Sequence, residues 1–405
     1  MGFFKASHRV SADMTTFFFD SVSVDSVVGP SDGLSPLTPF YGLEKLSELT
    51  LSADDIVALR AGAVFDVGAG KAPLLVHARG GVGRPVVFTR YGAGDDPKIK
   101  SVGPIAVDVL DSSFVRLECF QVEGGSRAGV RIDAKTHHAS FQNLRVSKAG
   151  FGFEMKGSNS LFSYNSVHDL QMIVNTPGGD DDYGAVAFAI QGNENVFSFN
   201  HVWNAKAPSF DYGSDGGGFE FWKSVRGVSI HHNLVEGSSG FVEAGGEGVK
   251  DRLADIEIFN NVSYLNGLFQ WVHNAPSVGK FGLTVSGLSV HHNTIVEPSA
   301  KLLVGFGGLV KAGSFSFTRN LVLAPHARVF SHAGDFHFDN FYDVNSTPVG
   351  RGEVSGRIRF AEGGGRSFQV MRGDKAEFYG AYSLGKAVGV GAGGGCGNER
   401  LEDWR

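Results

Sequence analysis

Glu220 and Glu243 are the residues whose type and spacing most directly suggest chemistry. Each sits in a short strand-like run of apolar residues, Gly218-Phe-Glu-Phe-Trp222 and Gly240-Phe-Val-Glu-Ala244, and the two are 23 residues apart. If that interval is one coil of a parallel β-solenoid, the glutamates stand on neighbouring strands, about 4.8 Å apart. Carboxyls that close repel each other, so one keeps its proton at a pH where the other is ionised. An acid beside a base is what glycosidic-bond cleavage needs. Retaining glycosidases hold the pair about 5 to 5.5 Å apart and inverting ones about 6.5 to 9.5 Å, so one rung predicts retention. Glu220 and Glu243 are then catalytic, with Asp215 positioning one of them or the sugar. The plainer alternative is two surface carboxylates, solvated or matched by Lys223, Lys250 or Arg252. Against it stand the scarcity of glutamate in strands and the immediate neighbours of Glu220, which are Phe219, Phe221 and Trp222.

Register decides whether the pair meets. Aligning Phe219 with Phe241 puts Val242 opposite Glu220. Aligning Phe219 with Val242 restores the carboxylate pair and turns Ala244 inward, and a bulge at Gly245 and Gly246 would permit it. Both registers stay open from the sequence.

The elements that must position the pair are legible as a repeat. Phe141-Gln-Asn-Leu-Arg-Val146 recurs as Phe162-Ser-Tyr-Asn-Ser-Val167, Phe197-Ser-Phe-Asn-His-Val202, Ile230-His-His-Asn-Leu-Val235, Val290-His-His-Asn-Thr-Ile295 and Phe317-Thr-Arg-Asn-Leu-Val322, with a looser copy at Ile258 to Ser263. The asparagines at 143, 165, 200, 233, 261, 293 and 320 predict a stacked amide ladder that satisfies buried polar groups. A second strand follows each copy, with alternation that turns Phe219 and Phe221 inward and Glu220 and Trp222 outward. Helical repeats are excluded by the Phe, Val and Ile runs of period two, punctuated by Gly and Asn. The fold class is all-β, a single-stranded right-handed parallel β-helix with a short N-terminal cap and long loops on one face. Residues 1–60 are the extension and cap, 61–345 the β-helix, and 346–405 the closing coils and tail.

Composition agrees with that architecture. The chain has 405 residues with 57 glycines, 34 phenylalanines and 19% charged residues, which suits many turns around a long apolar interior. A formal charge of -6 gives no broad basic footprint, so nucleic acid is not an expected partner. Cys119 and Cys396 lie far apart without a CxxC, which supports neither a disulfide framework nor a zinc site. The N-terminal stretch has no continuous apolar core and no later run is long enough to span a membrane. The expected setting is extracellular, cell-surface or virion-associated, and oligomeric state is left open.

The two largest insertions, LQMIVNTPGGDDDYG and NAKAPSFDYGSDGG, interrupt neighbouring coils before the second strand and should wall the face around Glu220. Trp222, Trp271 and His273 are placed to stack on sugar faces and take hydroxyls, and Lys223, Asp211, Tyr212 and Glu247 complete the expected substrate-binding set. The histidine pairs 231/232 and 291/292 make a poor metal site, since they lie two coils apart and one member of each pair should face the core.

Several stretches resemble known families. DGLSPLTPF, beginning at Asp32, is similar to the opening of right-handed parallel β-helix proteins, and AYSLGKAVGVGAGGGCG resembles their closing segment. GGFEFWKSVRGVSIHHNLVEGSSGFVEAGG resembles the active-site coils of β-helix glycoside hydrolases of the β-xylosidase type. That resemblance implies Glu220 as nucleophile, where the family has aspartate, and Glu243 as acid/base, with no cofactor. GDDDYG followed by SDGGGFE on the next coil is similar to calcium-dependent pectate lyases. It implies Ca²⁺ held by Asp182, Asp215 and Glu220, with Asp180, Asp181 and Asp211 completing six to eight oxygens. Where that family has a lysine base this chain has Val242-Glu243, so Lys223 or Lys250 would have to serve. A polysaccharide is the expected partner of either enzyme. The alternative outside enzymology is a solenoid adhesin or phage fibre that grips polysaccharide without cutting it.

Overall fold

The repeat forms because each copy supplies a strand, a turn residue in the left-handed region, and a buried amide. Tyr164, Phe199, His232, Asn260, His292 and Arg319 all have φ between 53 and 59° and each immediately precedes a ladder asparagine. That turn drives the chain from one sheet to the next and points the asparagine inward. The Asn200 Oδ1 accepts from both the backbone N–H and the Nδ2 of Asn165, each at 3.0 Å, and its own Nδ2 donates to Phe162 O. The pattern repeats through Asn233, Asn261, Asn293, Asn320 and Asn340. Glu353 closes the ladder, its carboxylate accepting the Asn340 N–H at 2.7 Å.

Two sequence expectations are corrected here. Asn143 is the left-handed turn residue (φ 52°), and the buried ladder position of its coil is Leu144, whose N–H donates to Asn165 Oδ1. The ladder therefore starts one coil later than expected and continues to Asn340. His231, His232, His291 and His292 are all only partly buried and lie on the exterior, where His231 stacks on Phe259 and Phe259 on His291. The inward positions beside them belong to Ile230 and Val290.

In the computed structural model, the described residues are 14–21, 31–68, 70–275, 281–361, 368, 370, 371 and 375–381. They form three long sheets of 14, 12 and 10 strands, and every pairing within these sheets is parallel. Each coil contributes one strand to each sheet in turn, which makes the molecule a parallel β-helix. Pairing begins at Thr16–Asp20, which inserts between Phe40–Tyr41 and Ile56–Arg60, and a short 3-10 turn at Glu44–Glu48 follows the opening stretch. It ends at Val354–Ser355. The closing stretch from 382 onward lies outside the described residues. Cys119 is buried and disulfide-bonded, and Cys396 lies outside the described residues.

Phenylalanines fill the interior by stacking on their equivalents one coil away. Phe141, Phe162 and Phe197 form one column with centroids 4.7 and 4.8 Å apart, and Phe153, Phe188 and Phe219 form another at 5.1 and 5.2 Å. The second column changes position at the next coil. Phe219 meets Phe241 tilted at 47°, and Phe241 then stacks on Phe269. Phe241 occupies the place held upstream by Gly152, Ala187 and Gly218, one residue earlier in the strand than Phe219. This shift sets the register around the two glutamates.

Candidate active site

The site lies on the outward face of the ten-stranded sheet. Gly217–Trp222 pairs in parallel with Val242–Gly245, and the Cα partners are Phe219 with Val242, Glu220 with Glu243, Phe221 with Ala244, and Trp222 with Gly245. Of the two registers open from the sequence, this is the one that pairs the carboxylates. No bulge at Gly245 and Gly246 produces it; the aromatic column slides by one residue instead, so Val242 fills the core beneath Glu220's neighbour. Phe219, Phe221, Val242 and Ala244 are buried, and Glu220, Trp222 and Glu243 point outward.

The hairpins Met172–Val174/Tyr183–Gly184 and Ala207–Ser209/Gly213–Asp215 come from the two long insertions and wall one side of the site. They are bound to each other. Asn175 Nδ2 donates to Pro208 O at 3.0 Å, and the Phe210 N–H donates to Asn175 Oδ1. Asp182 is buried between them, with Thr176 N–H on one oxygen and the Ser209 hydroxyl and Asp211 N–H on the other. Burial acts to raise its carboxyl, and these donors overcome it and hold the group below the usual range. Asp211 in turn accepts the N–H groups of Asp181 and Asp182, and Asp180 accepts the Tyr212 hydroxyl at 2.6 Å.

That network answers whether the acidic loop suits calcium. Asp181, Asp182 and Asp211 each bring one carboxylate oxygen within 4.8 Å of the others. The oxygens of Asp182 and one oxygen of Asp211 are engaged by N–H and O–H donors of the hairpins themselves, and Asp215 and Glu220 do not join the group. These residues do not fit the cage of six to eight oxygens that the lyase resemblance implies. The acids instead fasten two loops together.

Asp215, Glu220 and Glu243 do act on one another electrostatically. Burial raises the Glu220 carboxyl to about 8, with the Glu243 and Asp215 charges adding to it. Burial likewise raises Asp215 to about 6, against a bond from the Gly216 N–H and with help from the Glu243 and Asp182 charges. Glu243 differs in its surroundings. Its side chain is 47% exposed, and His273 Nε2 lies 2.9 Å from its Oε1. No hydrogen bond or ion pair to Glu220 is found among the described residues. The two carboxyls therefore stand in unlike surroundings, Glu220 pushed upward by burial and Glu243 half-exposed and bonded to an imidazole.

Aromatic rings line the far side. Trp271 is the register partner of Glu243 and Gly305 that of Trp271, and a methyl group at Gly305 would run into the indole. Trp222 lies over Gly245 in the same manner, its ring 2.9 Å from where a Cβ would be. Each tryptophan thus leans one coil onward over a glycine. Phe281, which the sequence did not single out, joins them, 5.7 Å from the rings of both Trp222 and His273, and its carbonyl accepts the Gly246 N–H. Its only sequence signal was an insertion after His273. Of the expected substrate-binding residues, Trp222, Trp271 and His273 gather at the carboxylates, whereas Lys223 pairs with Glu247 at 2.8 Å and Asp211 and Tyr212 belong to the hairpin knot.

No family model matches the chain, and no curated protein matches it in sequence. Solved structures do match. A rhamnogalacturonan lyase superposes with a TM-score of 0.54 at 18% identity, covering 80% of this chain and 87% of its own. A lacto-N-biosidase of family GH136 from Eubacterium ramulus gives 0.52 at 11%, covering 84% and 68%. A pectate lyase gives 0.52 at 15%, covering 81% and 80%. At these identities the likeness is one of architecture, and what the chain shares with these carbohydrate-active enzymes is the pectin-lyase-like parallel β-helix.

Proposed function

We propose that the protein cleaves a glycan by retaining hydrolysis through Glu220 and Glu243. The single observation that carries this is the register that sets the two carboxyls on adjacent rungs of one outward face, with their surroundings so unlike. The electrostatics favour exchanging the roles implied by the β-xylosidase resemblance. Glu220, raised to about 8 by burial beside two other acids, carries the proton at neutral pH and donates it to the leaving glycosidic oxygen. Glu243, held by His273, attacks the anomeric carbon as the carboxylate. The glycosidic C–O bond breaks as the ester to Glu243 forms, and the departing alcohol keeps the proton from Glu220. Water then attacks the same carbon, giving its proton to Glu220 and releasing Glu243. Trp222 supplies apolar surface for the sugar ring.

Elimination by a uronate lyase is disfavoured on this chain's own residues. Such a reaction needs a base to take the proton α to the uronate carboxylate, and of the two lysines that would have to serve, Lys223 and Lys250, the first is bound to Glu247, whose bond and charge raise its ammonium further from the range of a base. A non-catalytic binder would use long aromatic ladders. One exists on the opposite corner, Tyr164, Phe199 and His232, but its rings stack face to face and leave no face for a sugar. The experiment is incubation with a panel of polysaccharides and oligosaccharides, with and without chelator, scoring reducing ends and ultraviolet absorbance of unsaturated uronates. New reducing ends without unsaturation, lost in Glu220→Gln and Glu243→Gln, are expected. Unsaturated products would overturn the reading in favour of a lyase, and no product across the panel in favour of a binder.

A further inference from the structure

We propose that Trp271 and His273 form a relay that fixes the imidazole tautomer and so presents an N–H donor to Glu243. Both are then positioning residues, not sugar-stacking ones. The catalytic meaning of the relay rests on the hydrolase reading; its existence rests on geometry alone.

The indole N–H can only donate. Trp271 Nε1 lies 3.4 Å from His273 Nδ1, so that nitrogen is the acceptor and the neutral ring carries its proton on Nε2. Nε2 faces Glu243 Oε1 at 2.9 Å, and an N–H there stabilises the carboxylate over the acid. Were the tautomer reversed, a nitrogen lone pair would face the oxygen, and only a protonated Glu243 could bond to it. The choice of tautomer therefore selects which glutamate is the base.

Every member is held from another side. Trp271 is fixed in the strand between Glu243 and Gly305 and leans over that glycine. The His273 N–H donates to Ala244 O at 2.9 Å and its carbonyl accepts from Leu283 at 2.8 Å, while its ring packs edge-on against Phe281. The titratable groups facing Glu243 are Glu220 from the preceding strand, Asp215 from the hairpin, and His273 itself. Of these the Asp215 charge repels it, and among the described residues no lysine or arginine is paired with it. The imidazole is left to do alone what arginine does further up the same face.

The direct test is nitrogen NMR of full-length protein labelled at histidine, which reads the tautomer without any substrate. Wild type should show the neutral His273 ring with its proton on Nε2. Trp271→Phe should turn it into a mixture, and Gly305→Ala, which changes no polar atom but displaces the indole, should do the same with the fold intact by melting. With an active substrate, His273→Ala should lower kcat about tenfold with KM little changed, and His273→Gln, whose amide can donate from the same place, should restore it. A wild-type ring protonated at Nδ1, or a tautomer unmoved by both variants, overturns the relay. If the expected tautomers are found but no glycan is cut, the relay stands and the hydrolase reading fails.

Discussion

Along one outward column of the ten-stranded sheet the chain handles charge in two opposite ways. Upstream, Asp108, Arg131 and Glu154 occupy successive rungs. Arg131 holds Asp108 through two bonds of 2.8 and 2.6 Å, and Arg127 reaches across to grip Glu154 in the same forked manner. Two rungs beyond Glu154, past the small Ala189, the column continues as Glu220, Glu243, Trp271 and Gly305. Here carboxylate follows carboxylate, and where a guanidinium stood there is now an indole. Forked arginine pairs make buried charge tolerable and chemically inert. With no arginine beside it, the Glu220 carboxyl is raised by burial to about 8. The same scaffold thus shows side by side carboxylates matched by a guanidinium and a carboxyl left without one.

Substitutions should separate the two regions. The largest effect is expected from Glu220→Gln, which should lower the rate of cleavage about a thousandfold by removing the proton donor, while leaving the melting temperature unchanged or higher. Arg127→Met should do the converse, costing about 3 kcal/mol in chemical denaturation because the buried Glu154 loses its forked partner and keeps only the Lys156 ammonium 3.9 Å away. The double variant Arg127→Met/Glu154→Leu should recover most of that loss, which a simple sum of independent effects would not.

The pH dependence of stability should differ as well. Glu220 is raised from 4.5 to about 8 and Asp215 from 3.8 to about 6, so the folded protein binds these protons more tightly than the unfolded chain. Their contribution is fully present below about pH 4 and is lost as the pH climbs toward 8. Glu220→Gln should flatten that decline in a series of denaturation curves. The smallest effect concerns Gln270, which faces the interior between Val242 and Val304 with neither amide atom partnered among the described residues. Gln270→Met should gain about 1 kcal/mol.

How much of this could be read beforehand follows from the distance over which each feature is decided. The coil period, the inward Phe219 and Phe221 and the outward Glu220 and Trp222 were legible because alternation and the asparagine motif are local. Asn143 misled for an equally local reason: asparagine tolerates the left-handed turn as readily as it forms ladders, so its identity does not tell which of two adjacent positions it fills. The histidine pairs were placed half inward because the doublet occupies the strand end and the turn, where alternation no longer applies. Register at Glu243 was undecidable, since it depends on whether Phe241 stacks on Phe219 directly or takes the place of Gly218, a choice made by packing across three coils. His273 lies 30 residues from Glu243, and nothing in the intervening sequence fixes which group its ring will meet.

The claim on which the account turns is that Glu220 keeps its proton at neutral pH. Carbon NMR of the glutamate carboxyls, assigned by comparison with Glu220→Gln, measures this directly. A titration midpoint near 8 for Glu220 is the expected result. A midpoint near 4.5, with the carboxyl ionised at pH 7, would contradict the division of roles between the two glutamates and the mechanism built on it.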